Sequence, residues 1–114
     1  MILETRQIAF SPSALIKMLR WFSQAQGQKN LPLGLVTNVE LKQEPLVLAT
    51  NIQKIGGTIK TVILDEATII TVILYYCRQQ RIPIARTARK TLRVHGDLLI
   101  LDLSRRMEVP APPM

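Results

Sequence analysis

The stretch DEATIITVILYYCRQQRIP, residues 65–83, constrains this chain most. Two acids open it, Asp65 and Glu66; the eleven residues Ala67–Cys77 are apolar except for Thr68 and Thr71; Arg78 and Arg81 then turn it basic. That order predicts a helix over 65–81. Asp65 serves as N-cap, Glu66 faces the positive end of the helix dipole, the arginines face the negative end, and Pro83 blocks continuation. An apolar run of eleven residues falls well short of the roughly 20 needed to span a bilayer, so no membrane segment is expected. A helix that is apolar nearly all round must be covered on two sides. One side is a sheet. The other is either another helix of the same chain or a second copy of it. In the latter case Ile70, Leu74, Tyr75 and Cys77 form a homo-oligomer interface.

The rest of the chain alternates between two periodicities. Residues 3–10 read as a strand, and Ser11-Pro12 is a helix start, with serine as cap and proline at the first helical position. This first helix runs to about Gln26, with Gly27 as its stop; Leu15, Met18, Leu19 and Phe22 fall at i, i+3, i+4 and i+7 and form one apolar stripe. After the loop QKNLPL, GLVTNVELK and PLVLATNI read as a hairpin joined around Gln43-Glu44-Pro45, because Thr37, Val39 and Leu41 alternate with Asn38, Glu40 and Lys42. Gly56-Gly57 marks a hinge in the loop QKIGGT, and Ile59–Leu64 is β-branched strand. Lys90–His95 and Leu98–Leu103 form a second hairpin around the turn Gly96-Asp97. Residues 84–89 fit a loop, a strand or a short helix equally. The proline-rich residues 105–114 read as a flexible tail beyond a single domain, 1–104.

The order strand–helix–strand–strand occurs twice. With Ser11 set opposite Asp65, Leu15-Ile16 meets Ile69-Ile70, Met18-Leu19 meets Val72-Ile73, and Trp21-Phe22 meets Tyr75-Tyr76. The hairpins then place Val39, Leu41, Leu46 and Leu48 opposite Leu92, Val94, Leu99 and Leu101. Either the chain holds two βαββ pseudo-repeats, 3–52 and 59–103, or two amphipathic segments share a pattern. The expected fold is α+β: a mixed sheet of about six strands with two helices on one face.

Charge supplies the functional signal. The chain has a formal net charge of +7, and residues 78–106 carry eight bases against two acids. Arg78, Arg81, Arg86, Arg89, Lys90 and Arg93 are therefore the candidate contacts to an acidic protein partner or to nucleic-acid phosphates. No aromatic residue is interleaved with these bases, so the stacking platform of single-strand binders is missing.

Catalytic chemistry is poorly supplied. The sole histidine, His95, precedes a turn glycine and has no nucleophile placed to use it. One cysteine, Cys77, forms no internal disulfide and suits a reducing, cytoplasmic compartment; in an apolar helix its role is packing. No cofactor and no metal is expected, since one His and one Cys build no zinc site and Gly56-Gly57 lacks the context of a phosphate loop. The expectation is a non-enzymatic binding module, self-associating through residues 65–81, with a cationic surface for an acidic partner. The alternative is a nucleic-acid binder using phosphate contacts.

Overall fold

The computed structural model describes residues 1–25, 31–32 and 34–113. Its elements are β1 (Ile2–Phe10), α1 (Pro12–Gln24), β2 (Leu35–Lys42), β3 (Val47–Gln53), β4 (Ile59–Leu64), α2 (Glu66–Gln79), β5 (Arg89–His95) and β6 (Leu98–Met107). Both helices start as their caps dictate. Ser11 is extended and its Oγ accepts the Ala14 N–H at 3.2 Å; Asp65 is extended and its carboxylate accepts the Thr68 N–H at 2.9 Å. These Thr68 hydrogen bonds hold the Asp65 carboxyl below its ordinary pKa. α1 closes at Gln24 with Ala25 as its C-cap; the expected stop at Gly27 lies outside the described residues. The tetrapeptide TVIL is strand at 61–64 and helix at 71–74. An identical segment taking both states shows the cap and the tertiary surroundings overriding intrinsic β propensity.

The class is α+β, but the expected single mixed sheet is not what forms. The six strands make two three-stranded antiparallel sheets, ordered β1-β6-β5 and β2-β3-β4. The physical cause is the turn between β3 and β4. Lys54 N–H donates to the Thr58 carbonyl at 2.7 Å and Gly57 N–H to the Lys54 carbonyl at 3.0 Å, while Gly56 and Gly57 take φ of +99° and +91°. Two adjacent left-handed residues fold the chain back on itself, so Gly56-Gly57 is a hairpin turn, not a hinge. β4 then occupies the free edge of β3, with Leu64 opposite Leu48. β1 pairs instead with β6, placing Phe10 opposite Leu99 and Ile2 opposite Met107.

The helices do not share one face of a common sheet. α1 packs on β2, α2 touches both β3 and β5, and the two helices pack on each other. One apolar cluster joins all of these: Leu15, Met18, Leu19 and Phe22 from α1, Ile69, Val72, Ile73 and Cys77 from α2, and the inner faces of both sheets. The ring of Tyr75 meets Phe22 edge-on, with centroids 5.6 Å apart and planes at 82°. Sheet on one side and helix on the other cover much of the apolar surface of α2.

β6 also runs further than the sequence suggests. Arg105 and Arg106, expected in the tail, continue the strand opposite Glu4 and Leu3. β5 ends its pairing at Arg89 opposite Ser104, so residues 2–4 and 105–107 project beyond it as a two-stranded ribbon.

Two side-chain environments make stability predictions. Thr50 is fully buried on the inner face of β3, and its hydroxyl has no hydrogen-bond partner among the described residues. Thr50→Val keeps the shape and removes the unpaired hydroxyl, so it is expected to raise unfolding free energy by about 1 kcal/mol in a urea titration. Gly34 has φ of +148°, and a Cβ there would lie 2.6 Å from the Gln53 carbonyl oxygen and 2.7 Å from Ile52 Cγ2. Gly34→Ala is expected to lower the same midpoint, at a cost of about 2 kcal/mol or more.

Candidate cationic cleft

The cationic residues are arranged by the way α2 ends. Gln80 N–H donates to Tyr76 O at 2.9 Å, Arg81 N–H to Arg78 O at 3.2 Å and Ile82 N–H to Cys77 O at 2.8 Å, with Arg81 at φ 57°. This is a Schellman closure with arginine in the left-handed position usually given to glycine. The chain leaves the helix sharply and becomes a strap, Ile82–Ala88, irregular apart from a turn at Arg86-Thr87; strand begins at Arg89. Three contacts fix the strap. Arg6 Nη1 donates to the Pro83 carbonyl at 2.6 Å, and Lys90 Nζ donates to the carbonyls of Ala88 at 2.9 Å and Arg86 at 3.3 Å.

A cavity lies on each side of Ile84. On the helix side, Leu74, Cys77, Ile82 and Ile84 form the apolar part of a cleft of about 300 Å³, and Arg78, Arg86 and Lys90 supply its charge. No carboxylate is among its lining residues. The negative end of the α2 dipole favours cations here, which lets three of them approach without an acid between them. On the sheet side, a cavity of about 440 Å³ is bounded by β1, β6 and the strap, with Arg6 and Arg105 offset by Glu4.

The six predicted contact residues therefore do not form one patch. Arg78, Arg86 and Lys90 come together at the cleft. Arg81 is exposed at the helix exit, held by its backbone role. Arg89 and Arg93 are exposed on β5, alternating with Lys90, Leu92 and Val94, which face inward. Arg93 is also tied up: its Nε meets Asp102 Oδ2 at 2.7 Å, the ion pair found among the described residues. Lys90 lies on the opposite side of β5 from its arginine neighbours because strand side chains alternate. Arg6 supports the site from outside, through Pro83 of the strap, and was not predicted. Its signal lies in the pairing of β1 with β6, which no local pattern reveals.

The four predicted interface residues are likewise distributed. Ile70, Leu74 and Tyr75 are half-buried, whereas Cys77 is 1% exposed and packed in the core. Burial pushes the Cys77 thiol above its ordinary pKa, with the Arg6 charge acting weakly in the other direction, so it is a neutral packing group at neutral pH. His95 is exposed beside the Gly96 turn. Among the described residues, no group of three or more His, Cys, Asp or Glu gathers as a metal site, and no helix is long and apolar enough to cross a membrane. No protein-family model, curated protein or solved structure matches this chain.

The strained arginine makes a prediction of its own. A left-handed conformation costs a non-glycine residue about 1 kcal/mol, so Arg81→Gly is expected to stabilise the fold by about that amount in thermal or urea unfolding.

Proposed function

We propose that this chain is a small non-enzymatic binding module that receives an acidic segment of a protein partner in the cationic cleft at the exit of α2. The observation that carries the reading is the convergence of Arg78, Arg86 and Lys90 on one apolar-floored cleft whose lining residues include no acid. Carboxylates answer the cations, and Leu74, Ile82 and Ile84 favour a ligand with apolar side chains between its acids. The nucleic-acid alternative draws on Arg89 and Arg93, but the Asp102 contact neutralises one of that pair. A reducing, cytoplasmic setting accords with the single buried thiol. Self-association through residues 65–81 would use the half-buried Ile70, Leu74 and Tyr75, with Cys77 behind them.

The architecture is best read as two βαββ pseudo-repeats, 3–52 and 59–103, each lending its first strand to the hairpin of the other. What supports this is a correspondence of burial and register. Leu15, Met18 and Leu19 are buried, and so are Ile69, Val72 and Ile73 at the aligned positions; Phe10 and Leu64 are buried alike. Phe10 pairs with Leu99 as Leu64 pairs with Leu48, so Leu48 corresponds to Leu99 and not to Leu101. The two-residue displacement from the sequence alignment has a simple origin: residues 43–46 join β2 to β3, whereas residues 96–97 join β5 to β6. With it, Leu48, Thr50 and Ile52 fall on Leu99, Leu101 and Leu103, all six buried.

The test is a titration of the full chain with an acidic peptide that interleaves glutamates with leucines, beside a duplex oligonucleotide. Peptide binding that weakens with salt, and by about tenfold for each of Arg78→Glu and Arg86→Glu, is the expected result. Duplex binding lost in Arg89→Ala instead, with the peptide unbound, replaces this reading with the nucleic-acid one.

A further inference from the structure

The outer edge of β1 is open to pairing with another strand. β1 stands at the end of its sheet, so its second edge has no strand partner among the described residues. Its register with β6 is continuous from Ile2 to Phe10, with no bulge and no proline to discourage another strand. Residues Ile2 to Gln7 are exposed on both faces, and the apolar Ile2 and Leu3 are 49% and 58% exposed.

We propose that β1 pairs antiparallel with β1 of a second copy about a two-fold axis at Thr5. The sequence of the strand, Ile2-Leu3-Glu4-Thr5-Arg6-Gln7-Ile8, is self-complementary in that register. Glu4 lies opposite the partner's Arg6, and Arg6 opposite the partner's Glu4. Ile2 meets the partner's Ile8, and Leu3 the partner's Gln7. Opposite charges directly across an antiparallel pair stabilise it, and like charges destabilise it. The neighbouring registers fail on that ground. A slip of two residues sets Arg6 against Arg6 in one direction and Glu4 against Glu4 in the other. A slip of one residue puts residues of opposite sheet faces together. Arg6 has donors to spare, since its contact to Pro83 uses one of five.

Of the other outer strands, β2 could set Glu40 against the partner's Lys42 about Leu41, but it carries a register shift between Val36 and Asn38 that β1 does not. β4 lacks the charge complementarity. Pairing about Thr61 sets Lys60 against Val62, leaving two lysines without an acid. The contact at β1 is isologous and closes after two copies, giving a continuous six-stranded antiparallel sheet in the dimer, β5-β6-β1 followed by the same strands reversed. It uses no residue that lines the cationic cleft and none of the surface of α2, and it meets the binding reading above only through the Arg6 contact to Pro83.

Sedimentation equilibrium of the full chain at micromolar concentration, combined with charge swapping and cross-linking, tests it. The wild type is expected to be dimeric. Glu4→Arg alone and Arg6→Glu alone each create like-charge pairs and are expected to be monomeric, whereas the double variant carrying both restores the pairs and the dimer. Arg6→Glu also removes the donor to the Pro83 carbonyl, so Glu4→Arg, which leaves that contact intact, and the Thr5→Cys cross-link separate pairing from a folding defect. Thr5→Cys is expected to give a disulfide-linked dimer on mild oxidation, because opposed Cα atoms about 4.5–5.5 Å apart suit a disulfide and Cys77 is buried. Thr61→Cys on β4 is expected to stay monomeric under reducing-free denaturing electrophoresis. A monomeric wild type, single variants that remain dimeric, or cross-linking at Thr61 in place of Thr5 overturns the proposal.

Discussion

Pairing between β1 and β6 brings residues from opposite ends of the described chain into one ladder, from Ile2 opposite Met107 to Phe10 opposite Leu99, and most of the molecule hangs on it. Without β1, the β5–β6 hairpin is a two-stranded ribbon, and such ribbons are marginal in water. The same ladder sets Arg6 opposite Leu103, close enough for its guanidinium to hold the Pro83 carbonyl. That contact anchors the strap, and the strap divides the cationic cleft from the cavity beside β6. The shape of the candidate site thus depends on a strand that contributes one side chain to its support and none to the cleft.

Much of the local structure was legible. Ser11-Pro12 and Asp65-Glu66 announce both helix starts, because a cap is a short-range hydrogen bond written in adjacent residues. Alternation in Val39-Glu40-Leu41 and Leu92-Arg93-Val94 marks inner and outer faces correctly for the same reason. Strand partners are another matter. Taking Gly56-Gly57 as a hinge between two units hid the hairpin it closes, and with it the division into two sheets. A five-residue segment with two glycines between β-branched runs is itself a hairpin signal. The pairing of β1 with β6 has no such signal, since the residues involved are separated by nearly the whole chain.

The cationic run shows the same divide between local and long-range information. Its charges are plain in the sequence, yet where they gather depends on the Schellman closure at Arg81, on the turn at Arg86-Thr87 and on the alternation that turns Lys90 inward. The first two depend on backbone angles that arginine and threonine do not advertise. Asp102, which neutralises Arg93, becomes a neighbour only through the β5–β6 register.

The crossing of strands between the two halves of the chain has a consequence for how the molecule can come apart. Each sheet takes two strands from one half and one from the other: β4 completes the sheet of β2 and β3, and β1 completes that of β5 and β6. Neither half owns a whole sheet, and the helices pack on each other at the centre. Melting either half strips a strand from the sheet of the other and uncovers the inner face of the remaining hairpin. The two halves are therefore one cooperative unit, and the weaker of them sets the lifetime of both.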